Sequence, residues 1–105
     1  MKKSKKEKKV EKSKIRDIIA DFYEDVPLLF MDPEYFDEAI IGVATGNGIE
    51  PKVAYDYDKV IKINMKDVGT MEDAIEWFEF NQIGAYVGEH TPVFIKTTKA
   101  IKEAL

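Results

Sequence analysis

The 105-residue chain has no cysteine, one histidine and one tryptophan. The missing cysteine excludes disulfides and thiolate zinc sites and fits a reducing compartment, so a cytoplasmic protein is expected. No apolar stretch approaches the ~20 residues needed to cross a bilayer, and no membrane span is expected. The basic N-terminus lacks an apolar segment behind it, which argues against a secretory leader. Equally missing are a Gly-rich loop ending in Lys-Ser/Thr, a dinucleotide fingerprint, zinc-ligand spacing and a Ser-His-Asp order. The length suits one small domain with a modest core.

Charge is unevenly distributed. Residues 1–14 hold eight lysines against Glu7 and Glu11, whereas the rest holds Arg16 and seven lysines against 18 acids, giving +6 and −10 and the net −4 of the whole. Val10 is the only apolar residue of the tail after Met1. Such a segment cannot offset its ordering entropy by burial, so residues 1–14 read as a disordered tail ahead of a single domain over 15–105. A lysine tail can attract nucleic acid or anionic lipid, or simply keep an acidic domain solvated. The acidity of the body weakens the nucleic-acid reading, because phosphate-binding surfaces usually continue onto the folded part.

Apolar positions 15, 18, 19 and 22 predict a helix over 14–25, capped by Ser13 and stopped before Pro27. Asp32-Pro33 reads as an N-cap with proline at the first helical position of a short turn over 33–37. Residues 39–44 are continuously apolar and rich in β-branched side chains, which predicts a buried strand. Gly46-Asn47-Gly48 marks a turn, and residues 52–57 a second strand that Pro51 should keep from extending as a central ladder. Residues 59–68 match both strand alternation and a helical stripe. Gly69 as a helix stop followed by Thr70 as an N-cap favours helix over 59–67 and another over 71–82. A third strand is expected over 92–97 and a short terminal helix or frayed end from Lys99. The expected fold is α+β: a small sheet of about three strands (39–44, 53–57, 92–97) with helices packed on one face.

The least redundant segment is Phe78–Pro92, aromatic, then punctuated by Gly84 and Gly88, then polar around His90. Its candidate binding surface is Asn81, Gly84, Tyr86, Gly88, Glu89, His90 and Thr91. His90 is the candidate acid or base, although a lone loop histidine is more often a hydrogen-bonding surface residue. Asp56 and Asp58 lie two apart at a strand end, the arrangement of half a Mg²⁺ or Mn²⁺ site that Glu89 or His90 would complete. The competing reading makes Asp58 the cap of a helix starting at Lys59 and Asp56 a solvated strand end. Trp77, Phe78 and Phe80 read as core rather than as a ligand pocket, and Asn81 as a donor to exposed backbone.

Tyr55-Asp56-Tyr57-Asp58-Lys59, Gly69-Thr70-Met71-Glu72-Asp73-Ala74, Phe78-Glu79-Phe80-Asn81 and Gly84–Phe94 together resemble a small uncharacterised protein family of phage and prokaryotic genomes. The resemblance covers roughly residues 36–95 and is most specific at its C-terminal end. Where the family carries a Gly-Met-Thr-like join, this chain has Gly69-Thr70-Met71. The resemblance implies a compact domain ending in Gly-Glu-His-Thr-Pro and a helix over 59–67, and it supplies no catalytic residues. The leading functional expectation is a binding or accessory protein, with a protein partner and no cofactor. The alternatives are a divalent-metal-dependent hydrolase or nuclease using Asp56, Asp58, Glu89 and His90 with Mg²⁺ or Mn²⁺, and nucleic-acid binding through the tail. Partly exposed strand edges make a homo-oligomer a further expectation.

Overall fold

The computed structural model describes residues 15–83 and 87–105. Along the described chain run helix α1 (Ile15–Phe22), a 3-10 helix (Glu34–Ala39), strands β1 (Ile40–Gly46) and β2 (Ile49–Asp56), helices α2 (Tyr57–Val68) and α3 (Met71–Asn81), strand β3 (Val93–Ile95) and helix α4 (Thr98–Glu103). The strands form one sheet in the order β1-β2-β3, antiparallel between β1 and β2 and parallel between β2 and β3. This is the small α+β domain that the patterning predicts. The lysine tail and the Ser13 cap lie outside the described residues.

Asn47 and Gly48 alone separate β1 from β2, so these strands form a tight hairpin. Parallel neighbours cannot be joined by a turn and need a crossover. Helices α2 and α3 supply it between β2 and β3. Val53 and Tyr55, two apart on β2, are fully buried among Phe36, Val60, Ile61, Ala74 and Phe78. The crossover helices therefore close the core over the central strand. Gly69 ends α2 at φ +95, a conformation that costs an L side chain but not glycine. Thr70 then starts α3, its hydroxyl accepting from the Asp73 N–H at 3.1 Å. Both assignments agree with the sequence.

Several expectations shift. β1 begins one residue late because Ala39 ends the 3-10 helix. That helix is capped by Pro33, and no side-chain hydrogen bond caps it, so Asp32 is not its N-cap. β2 is the central strand and runs through Pro51, which the sequence placed outside a central ladder. The missing proline N–H is tolerated because the ladder to β1 changes register between Ala44 and Gly46, opposite this part of β2, and β3 pairs only from Ala54 onward. β3 is shorter than expected, since Thr97 is used to cap α4 through the Ala100 N–H. Of the aromatic trio, Phe78 alone is core. Trp77 is 48% exposed and Phe80 77% exposed, because α3 presents only its Ala74–Phe78 stripe to the sheet.

Two interactions anchor the segment before the sheet. The Arg16 guanidinium grips the Asp37 carboxylate through Nε and Nη2 at 2.7–3.0 Å and donates to the Met31 carbonyl at 3.1 Å. The paired carboxylate raises the Arg16 pKa further above its ordinary value. The buried Tyr55 hydroxyl accepts from the Met31 N–H at 2.8 Å. Burial raises the Tyr55 pKa above its ordinary 10.0, and the Met31 hydrogen bond offsets part of that rise. A proton held more tightly in the folded state stabilises it fully below pH 10 and progressively less as pH climbs toward the raised value. Tyr55→Phe leaves the Met31 N–H without its partner. It is expected to lower stability at pH 8 by about 1–2 kcal/mol. Denaturant midpoints from pH 8 to 11 should fall less steeply for Tyr55→Phe than for the native chain; parallel slopes would contradict this account.

Candidate functional site

The loop from Val87 to Pro92 is held by its own side chains and by β2. Thr91 Oγ1 accepts from the Val87 N–H at 2.8 Å and donates to the Gly88 carbonyl at 2.8 Å, while the Thr91 N–H reaches the same carbonyl at 3.2 Å. Gly88 makes this turn at φ +117, where a side chain would be strained. His90 Nδ1 lies 2.8 Å from the Pro51 carbonyl, and Lys52 Nζ donates to the Glu89 carbonyl. A carbonyl only accepts, so Nδ1 carries the proton, and in the neutral ring Nε2 keeps its lone pair.

The parallel pairing of β2 and β3 decides which carboxylates His90 meets. Ala54 stands opposite Val93 and Asp56 opposite Ile95, so the loop preceding β3 lies beside the N-terminal half of β2. One ligand atom each from Glu50, Glu89 and His90 lie within 4.8 Å of one another. Among the described residues this is the grouping that could hold a cation, and it includes neither Asp56 nor Asp58. Five strand steps lead from Pro51 to Asp56, roughly 16 Å at a rise of about 3.3 Å per residue. Asp56 is instead the N-cap of α2, accepting from the Lys59 N–H at 3.3 Å, and Asp58 lies in the first turn of that helix. The cap is therefore Asp56 and not Asp58, and the helix begins at Tyr57.

Of the seven predicted surface residues, Gly84 and Tyr86 lie outside the described residues. Thr91, Gly88, Glu89 and His90 form the loop just described. Asn81 donates to the Trp77 carbonyl at 3.1 Å, the backbone role that its position suggests. Its outer side borders a half-open cleft of about 240 Å³ lined by Leu29, Phe30, Met31 and Asp32 on one wall and by Gln82, Val87, Thr91 and Pro92 on the other, with Phe94. Phe94 is fixed edge-on to Phe78, with ring centroids 4.8 Å apart, and also contacts the Tyr55 ring. The wall at Gln82 is tied to α2, because Asn64 Nδ2, itself buried, donates to Gln82 Oε1 at 2.8 Å. A shallow second hollow on α3, between Val68, Asp73, Glu76, Trp77 and Phe80, shares Asn81 with the cleft.

Sequence reasoning passed over Glu50 and the Leu29–Asp32 wall. Glu50 precedes a proline in what reads as a turn, and nothing local signals its approach to a residue 40 positions away. The apolar run at 28–31 was visible, but its destination was not. Comparison with known proteins brings no match: no family model, no curated protein and no solved structure is similar to the chain at a significant level.

Separating the cap from the cation grouping makes a prediction. Asp56→Ala should cost about 1 kcal/mol of stability, as loss of an N-cap does. It should leave the His90 environment unchanged in an NMR spectrum. A His90 shift as large as that produced by Glu50→Gln would place Asp56 at the histidine after all.

Proposed function

We propose that this domain is a non-enzymatic binding or accessory protein whose partner is a protein segment carrying apolar side chains among basic ones. The observation that carries this reading is the apolar surface around Asn81. The cleft and the α3 hollow meet at this residue, and around them Leu29, Trp77, Phe80 and Val87 are all exposed. Large exposed apolar residues gathered in one place, unlike scattered ones, mark an interaction face. Asp32, Asp73 and Glu76 border the two hollows, and the body of the chain is strongly acidic, so a basic segment is favoured over an acidic one. Aromatic residues such as Trp77 and Phe80 are the side chains that anchor binding faces most often.

The resemblance to the phage and prokaryotic family, a cytoplasmic location and self-association through the outer edges of β1 and β3 belong to the same proposal and rest on sequence pattern and topology. Attraction of nucleic acid to the lysine tail rests on composition alone. The four-residue hydrolase set of Asp56, Asp58, Glu89 and His90 is not proposed, since Asp56 and Asp58 lie at the other end of β2 from His90.

Peptides selected from a random display library on the full chain test this reading. They should be enriched in lysine or arginine around apolar residues. Their affinity should drop at least about tenfold for Phe80→Lys and Val87→Lys, each of which removes an apolar contact and sets a like charge against the basic partner. Ile41→Lys, on the exposed side of β1, should bind as the native chain does. Selected peptides that are acidic, or that bind Phe80→Lys and Val87→Lys undiminished, would contradict the proposal.

A further inference from the structure

We infer that Glu50, Glu89 and His90 form a site for a divalent first-row transition cation of the zinc type. The inference is separate from the protein-binding reading and stands on the junction of β2 with the Val87–Pro92 loop. Three donors from two segments converge there, with ligand atoms within 4.8 Å of one another. Two of them are carboxylates. Neither carboxylate has a hydrogen-bond or ion-pair partner among the described residues, and Lys52 donates its amine to the Glu89 backbone carbonyl. No ion pair among the described residues engages either carboxylate, and a divalent ion between them would take up their charge directly.

The histidine supplies the second observation. Histidines that bind metals usually donate their other ring N–H to a carbonyl or carboxylate, which fixes ring and tautomer. His90 has this arrangement: Nδ1 faces the Pro51 carbonyl at 2.8 Å, leaving Nε2 as the donor. The carbonyl belongs to the residue next to Glu50, so the orienting group and one ligand share a backbone segment. Lys52 continues that segment and holds the Glu89 backbone. Pro51, Glu89 and His90 are therefore fixed relative to one another before any ion arrives.

The donor set decides the class of ion. Magnesium asks for an octahedron of oxygen ligands, whereas imidazole favours zinc, nickel, copper or iron. One nitrogen and two carboxylates suit a borderline cation, with a fourth position open to water. Donors about 2.0–2.1 Å from a tetrahedral ion stand about 3.4 Å from one another. The donors stand within 4.8 Å, and both glutamates that would close on the ion are exposed.

Because His90 is the only histidine, its ring nitrogens report without ambiguity. The test is a long-range ¹H–¹⁵N NMR titration of the full chain, prepared without a histidine tag, with zinc and separately with magnesium. The metal-free spectrum should show the Nδ1–H tautomer for the neutral ring. Zinc should then shift Nε2 saturably. Glu50→Gln and Glu89→Gln should each weaken zinc at least about tenfold while the backbone spectrum stays that of a folded chain. Magnesium at the same concentrations should leave the ring unmoved. An Nε2–H tautomer, no saturable shift with zinc, zinc binding by both glutamine variants as tight as that of the native chain, or an equal response to magnesium would each overturn the inference.

Discussion

Ala54, Tyr55 and Asp56 pair in parallel with Val93, Phe94 and Ile95, and the direction of that pairing determines which side chains can meet. Had β3 run antiparallel to β2, the loop before it would have entered beside Asp56, and the histidine would have faced the strand-end aspartates. Running parallel, it enters beside Glu50 and Pro51. The same direction obliges the chain to cross over between the two strands, which is the work of α2 and α3. Those helices bury Val53 and Tyr55 and in doing so fix Phe78 against Phe94. The site and the core thus have one cause.

Tyr55 joins these parts chemically. Its ring is fully buried beneath the crossover, it touches the Phe94 ring across the strand pair, and its hydroxyl holds the Met31 N–H. Met31 belongs to the segment that forms one wall of the cleft, and Arg16 secures the same segment from α1 through the Met31 carbonyl. The opposite wall leans on Thr91 within its loop and on the Asn64–Gln82 amide pair. Each wall therefore rests on a hydrogen bond to an element of the core, which is how a small domain keeps an open hollow from collapsing.

Local chemistry was legible in the sequence wherever a residue acts on its own neighbours. Gly69 and Thr70 separate two helices, Asn47 and Gly48 close a hairpin, and Asn81 bonds the carbonyl one turn back. The ambiguity over 59–67 resolves to helix because of the stop and cap that follow it. Long-range facts were not legible. Periodicity says that Trp77, Phe78 and Phe80 belong to a helix; it does not say how wide a stripe of that helix a three-stranded sheet can cover. The sequence reads Asp58 as the cap and Asp56 as a strand end, but the cap is Asp56, because the residue at which the strand gives way to the helix decides it. Glu50, with no partner within ten residues, becomes informative only once β3 is placed beside β2. Arg16 and Asp37 share a carboxylate–guanidinium clamp across 21 positions that no local pattern announces.

The parallel register is tested most directly by nuclear Overhauser contacts in the full chain. Contacts from the His90 ring protons to the side-chain protons of Glu50 and Pro51, with Ala54 facing Val93 across the strands, are what this account predicts. Contacts from the His90 ring to Asp56 or Asp58 would contradict it, because they require the third strand to run the other way.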